Sequence, residues 1–181
     1  MGKAYERVIK QFLAAHIPAG SRIIDVGCGT GWTALFVAEN KAGCRVDGVD
    51  IDTLKVHRAN RLFLRAKREH LVHCARCGAE ELVRRFKRRQ YDVVVSCHSL
   101  HHYREPVRAL RQMRGVLKRE GVLLLAELTP AFGERVDDCA RYSLAKIRAF
   151  FKRAGWRLRE ASVQGSGVIL MRASLAQARR S

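Results

Sequence analysis

The chain reads as a doubly wound α/β fold: a mostly parallel sheet with helices on both faces. Three observations carry that reading. A β-branched strand at 22–26 runs through a glycine turn directly into a helical pattern at 32–40. A second strand at 45–50 is reached after about a dozen residues of helix, the rhythm that parallel pairing requires. Two runs, Tyr91-Asp92-Val93-Val94-Val95-Ser96 and Val122-Leu123-Leu124-Leu125-Ala126, are almost wholly apolar. Strands read that way when helices cover both faces of the sheet.

The elements follow in order. Residues 5–16 carry Val8, Ile9, Phe12 and Leu13 at helical spacing, closed by Pro18 and Gly20. The strand at 22–26 and its helix come next, then a second strand at 45–50. Residues 54–67 place Leu54, Ala59, Leu62, Phe63 and Ala66 on one helical side. A short third strand falls at 71–74, and a basic helix is predicted over 80–89. The apolar strand at 91–96 leads to a helix at 105–118, with Pro106 suited to its first turn. Gly121 is read as the break before the strand at 122–126. Residues 128–141 have no period and contain Pro130 and Gly133, so they read as a loop on the substrate side. Ser143 suits the N-cap of a helix running to 154. Strands at 156–163 and 168–172 are joined by four residues, a link only a hairpin can use, so the last strand runs antiparallel. The count is seven strands in a single domain, residues 1–173, followed by a basic tail at 174–181.

The chemistry centres on Asp25-Val26-Gly27-Cys28-Gly29-Thr30-Gly31. Glycine lets a turn take positive φ and lets a ligand lie against the main chain. The helix start beyond it adds unpaired N–H groups and partial positive charge. A dinucleotide fold wants its third glycine three positions after the second. Here that position holds Trp32, and an acid sits two residues before the first glycine. The acid disfavours a pyrophosphate and favours a ligand with a cationic or hydroxyl-rich part. Asp50 ends the second strand 19 residues after Gly31, where a carboxylate can accept from both hydroxyls of an adenosine ribose. Asp52 reads as the N-cap of the following helix.

This D-x-G-x-G-x-G loop resembles the first motif of the class I S-adenosylmethionine-dependent methyltransferases. The second stretch that resembles them is Ser96-Cys97-His98-Ser99-Leu100-His101-His102, followed by Pro106, Leu110, Met113 and Val116-Leu117-Lys118-Arg119-Glu120-Gly121. It matches the family's strand, Leu-His-His and helix pattern, with Arg119 and Glu120 replacing Pro and Gly in the closing turn. The resemblance covers nearly the whole chain and is greatest to the ubiquinone/menaquinone-type, small-molecule members. It implies the strand order 3-2-1-4-5-7-6 with strand 7 antiparallel, in a Rossmann-like sheet. It implies S-adenosyl-L-methionine as cofactor and S-adenosyl-L-homocysteine as product. Asp25, Gly27, Cys28, Gly29 and Gly31 would meet its methionine end, Asp50 and Ile51 the ribose side, and Ala79 and Glu80 the adenine. Ser96 would border the methionine part, and His98 is the candidate to act on the acceptor. The family's Gly-Asp-Ala adenine motif is Cys77-Gly78-Ala79 here, so the acid is missing.

Other readings compete. The net charge is +18, from 35 Lys and Arg against 17 Asp and Glu. Such a balance attracts polyanions, which makes RNA an alternative acceptor. The basic residues are spread over several helices with few interleaved aromatics, which equally suits general solvation. The chain lacks the Pro-Pro-aromatic and Pro-Cys motifs common among enzymes acting on base amino groups or cytosine C5. A binding module without turnover is the third reading. Six cysteines scattered through the chain look like reduced thiols, not a disulfide framework. His70, His73, Cys74 and Cys77 have zinc-type chemistry, but a strand through them would point alternate residues to opposite faces, so no metal is expected. No apolar run approaches a membrane span. The N-terminus is charged, and Glu6 stands where a myristoylation signal needs Ser or Thr. The expected compartment is the cytoplasm.

Overall fold

The computed structural model describes residues 4–132, 141–165 and 167–176. Gly2, Cys139, most of the 128–141 loop, Ser166 and the end of the basic tail lie outside the described residues. The elements are α1 (Ala4–His16), β1 (Arg22–Val26), α2 (Trp32–Asn40), β2 (Arg45–Asp50), α3 (Thr53–Arg65), β3 (Val72–Arg76), α4 (Leu82–Arg85), β4 (Tyr91–Cys97), α5 (Pro106–Val116), β5 (Leu117–Leu128), α6 (Leu144–Arg153), β6 (Trp156–Gln164) and β7 (Val168–Leu175). Single 3-10 turns stand at Ala79–Glu81 and Leu100–His102.

The seven strands form one sheet in the order β3-β2-β1-β4-β5-β7-β6. β1 pairs in parallel with β2 and β4, and β5 pairs antiparallel with β7. The fold class and strand order therefore stand as the sequence implied. The order reverses between β1 and β4, and ligands in such sheets bind outside the carboxyl ends of strands at that point.

Two apolar layers hold the sheet. On one face Ile9 and Leu13 of α1, Ala34 and Val37 of α2, and Ala59 and Phe63 of α3 pack over Ile23, Val46, Val95 and Leu124. On the other, Leu82, Leu110, Met113 and Phe151 pack over Ile24, Val94, Leu123 and Met171. Trp156 anchors the hairpin end by donating its indole N–H to the Leu110 carbonyl at 3.1 Å. Ser143 caps α6, its hydroxyl accepting from the Lys146 N–H at 3.2 Å.

Three elements differ from the sequence reading. The predicted helix over 80–89 shrinks to a 3-10 turn and one α-helical turn ending at Arg85. Its run of Arg84, Arg85, Lys87, Arg88 and Arg89 is exposed, so little apolar face is left to bury. The chain is drawn out instead, with the Arg89 and Gln90 N–H groups donating to the carbonyls of Gly115 and Val116. The second difference is the α5–β5 junction. The strand starts at Leu117, before Gly121, and slips register between Tyr91 and Val93. Gly121 is required by close approach, since a Cβ there would lie 2.8 Å from the Asp92 carbonyl. The third is β7, which runs to Leu175 and takes in the first two residues assigned to the tail, pairing Ser174 and Leu175 with β6.

Candidate active site

The glycine loop is held by backbone. The Gly27 and Cys28 N–H groups both donate to the Val49 carbonyl, at 2.8 and 2.9 Å, which ties the end of β1 to β2. Gly27 and Gly31 have φ of 76° and 86°. A Cβ on Gly27 would sit 2.5 Å from Ser99 Cβ, and one on Gly31 2.6 Å from Phe63 Cζ. Both positions therefore need glycine for conformation and for space. Gly31 is also the N-cap of α2 and supplies no capping side chain, so the first N–H groups of that helix are left for other partners.

Asp50 closes the loop from the neighbouring strand. One carboxylate oxygen accepts from the Gly29 N–H at 2.8 Å and the other from the Asp52 N–H at 2.9 Å. Each oxygen has two lone pairs, so the carboxylate can hold the loop and still accept from a ligand hydroxyl. Asp52 caps α3, accepting from the Leu54 and Lys55 N–H groups.

Above these residues lies an open cleft of about 620 Å³, within the range of small-molecule sites. Gly27, Cys28, Gly29, Asp50, Ile51, Ala79, Glu80 and His98 line it, so eight of the eleven residues singled out in the sequence share one wall system. Ile51 is 70% exposed there. An apolar side chain that bare at a cleft mouth is a ready platform for a flat ring. Glu80 reaches across to accept from the Glu105 N–H at 3.3 Å.

The other three stand behind the wall. Gly31 faces Phe63. Ser96 is fully buried, and its hydroxyl meets those of Ser99 and Tyr103 at 2.9 and 3.0 Å. Ser99 and Tyr103 line the cleft in its place. Ser96 thus supports the two hydroxyls that line the cleft. Asp25 lies beneath the glycine loop, 1% exposed. Burial, then the nearby Asp50 charge, pushes its carboxyl up to about 7. One of its oxygens has no hydrogen-bond partner among the described residues.

His98 sits on the far wall in the left-handed region, φ 53°, with its N–H donating to the Ala126 carbonyl at 2.7 Å. Its ring lies 4.9 Å from His101 and 6.1 Å from Tyr5. Sequence reading missed the residue that organises this wall. Glu127, 2% exposed, accepts from the Ser99 N–H at 2.9 Å, from the Leu100 N–H at 2.6 Å, and meets His101 Nδ1 at 2.7 Å. Its signal was a single acid at the end of an otherwise apolar strand.

Two described cysteines of the cleft wall are held as thiols. Burial pushes the Cys97 thiol well up, and the Cys28 thiol is raised by its contact with Cys74 and by burial. The zinc-type set is dispersed: His73 is exposed on β3 while Cys74 is buried and Cys77 faces the cleft. Among the described residues no group of three or more His, Cys, Asp or Glu side chains is arranged to hold a metal ion. None of the described helices is long and apolar enough to cross a membrane.

The comparisons with known proteins agree with this geometry. Residues 24–125 match the family described as methyltransferase domain. The chain belongs to the class I S-adenosylmethionine-dependent methyltransferases. Within that family it is similar to the 27-O-demethylrifamycin SV methyltransferase of Amycolatopsis mediterranei, 32% identical over 79% of this chain and 57% of the relative. It is also similar to the tRNA U34 carboxymethyltransferase of Shewanella denitrificans, 33% identical over 65% of this chain and 35% of the relative. The chain thus spans little more than half of the first and about a third of the second. The crystal structure of the [4+2]-cyclase SpnF superposes with a TM-score of 0.82 over 94% of this chain and 81% of the cyclase, at 21% identity. That likeness speaks for the fold alone.

Proposed function

We propose that this methyltransferase-family chain binds S-adenosylmethionine in the 620 Å³ cleft and transfers its methyl group to a small-molecule acceptor. The observation that carries the reading is the pairing of the Gly27–Gly31 loop with Asp50 across the sheet's reversal point. The residues fit the cofactor. Gly27, Cys28 and Gly29 present backbone to its methionine end, and Gly31 shapes the turn. Asp25 beneath them has a bare carboxyl oxygen in a buried setting, which suits a cationic ligand overhead. Asp50 keeps lone pairs for the ribose hydroxyls. Ile51 and Ala79 flank the adenine ring, and Glu80 takes its amino group in place of the missing acid at Gly78.

When bound, the cofactor supplies a methyl carbon activated by a sulfonium. The protein's part is to align the acceptor with that carbon and to exclude water. His98, on the wall facing the acceptor, is placed to receive the acceptor's proton.

Calorimetry with S-adenosylmethionine tests the first step. We expect saturable binding below millimolar ligand, weakened at least tenfold by Asp50→Ala, since charged hydrogen bonds contribute about 1.5–3 kcal/mol each. No binding at millimolar ligand, with the variant behaving identically, would sink the proposal.

RNA is the second reading, favoured by the tRNA-acting relative and by the +18 charge. It requires RNA affinity that falls steeply with salt, because bound phosphates release counterions. A flat salt response would leave the small acceptor.

A further inference from the structure

The glycine-loop wall carries the proposed cofactor binding, but it leaves unexplained why the buried, otherwise apolar second half of β5 holds an acid. Glu127 follows Val122-Leu123-Leu124-Leu125-Ala126 on β5 and points under the Leu100–His102 turn. A buried carboxylate is costly unless donors surround it. Here two backbone N–H groups and one imidazole do so. The three histidines of the segment pack as tilted rings beside this charge, His101 and His102 at 4.0 Å between centroids and His98 and His101 at 4.9 Å, with His101 the one that touches Glu127. Of the three, His98 and His102 line the cleft, while the His101 side chain is fully buried.

We propose that Glu127 is a positioning residue that fixes the Leu100–His102 turn and, through His101, sets the proton affinity of the cleft-facing His98. The inference rests on the methyl-transfer reading above. Glu127 holds the His101 proton on Nδ1 and so orients the imidazole stack. Its negative charge favours an imidazolium on the adjacent His98 ring. In the transfer, an acceptor hydroxyl gives its proton to His98 as its oxygen bonds the methyl carbon. The carbon–sulfur bond breaks onto sulfur, and the positive charge passes from sulfonium to imidazolium. A carboxylate beneath the stack stabilises that final charge.

Among the described residues, charged and titratable groups from several elements lie around this cluster. Glu127 comes from β5, Asp25 from β1, Cys97 from β4 and Tyr103 from the segment after the turn. Tyr5 of α1 packs on His98, and Arg141 lies over the Phe132 ring that Tyr5 meets edge-on. Glu127 differs from Asp25 in touching the histidine segment directly.

The test is histidine titration by long-range ¹H–¹⁵N spectra, with and without S-adenosylhomocysteine. Resonances are assigned with His98→Asn and His101→Asn. In the wild-type chain His101 should carry its proton on Nδ1. Glu127→Gln should lower the His98 midpoint by at least one pH unit, a tenfold loss of proton affinity. Glu127→Asp keeps the charge and should hold the midpoint within half a unit of wild type. S-adenosylhomocysteine affinity should change less than threefold in either variant. A midpoint that is the same in wild type and Glu127→Gln, or that falls equally in Glu127→Asp, overturns the proposal. Should Glu127→Gln not fold, the His101 tautomer decides: an Nε2 proton with Nδ1 bare overturns it. Failure of the wild type to bind S-adenosylhomocysteine overturns the donor reading instead, and the ligand-free titration still judges Glu127.

Discussion

The two walls of the cleft are built on different principles. The Gly27–Gly31 wall is made of backbone, held by carbonyl and carboxylate contacts from β2, the next strand in the sequence. The His98–Tyr103 wall is made of side chains, held by Glu127 from 24 or more positions later in the chain. The first wall offers shape, its Gly27, Cys28 and Gly29 N–H groups being already engaged by β2. The second offers titratable groups.

The contrast breaks most sharply where the walls touch. Gly27 lies against Ser99 Cβ, Ser99 Oγ and the Tyr103 hydroxyl, all from the second wall. Gly27→Ala meets a forbidden contact and an unfavourable φ together. We expect a loss of about 3 kcal/mol in urea unfolding and at least a hundredfold loss of cofactor affinity. Gly29→Ala is the control. It shares the positive φ, 54°, but an added Cβ meets nothing within 4 Å, so the loss should be about 1 kcal/mol. Equal losses would show that the walls are not in register.

A second test separates the walls by pH. The folded Asp25 carboxyl titrates near 7 against 3.8 in the unfolded chain. The native state therefore binds the extra proton between those values, and ligand-free stability falls as pH rises through that window. Between pH 5 and 7 the fall should be about 2 kcal/mol. Asp25→Asn should remove this slope. The cofactor should reverse its consequence, since a cation above Asp25 favours the carboxylate, so affinity should rise from pH 6 to 8 in wild type and stay level in Asp25→Asn. Chemical denaturation at a series of pH values, with and without ligand, checks both signs.

The same contrast explains how much could be read in advance. The hairpin and the glycine loop were legible because each is a local pattern, a four-residue link between strands and a turn of glycines with an acid at a strand end, whereas the strand order came from the resemblance to the family. The Asp52 cap and the Ser143 cap were legible for that reason. The α4 helix was misread because its composition satisfies propensity, while its arginines and lysines leave little apolar face to bury. Ser96 was assigned from its place at the carboxyl end of a strand, but only the three-hydroxyl contact with Ser99 and Tyr103 shows which way it points. Glu127 could not be assigned a role because its partners lie on the preceding crossover. A side-chain site assembled across strands leaves no spacing to count.

The smallest effect tests whether the backbone wall is as local as it looks. Asp52 sits two residues beyond Asp50, lines the same cleft and accepts from two N–H groups of the first turn of α3. If its role is capping, Asp52→Ala costs about 1 kcal/mol of stability, the usual loss for such a residue. Cofactor affinity should then change less than threefold, because the Asp52 N–H still donates to Asp50 whatever its side chain. Asp52→Asn, which caps comparably, should recover most of the stability. A tenfold loss of affinity in Asp52→Ala, with stability intact, would transfer the ligand contact from Asp50 to Asp52 and place the cofactor one turn further toward α3.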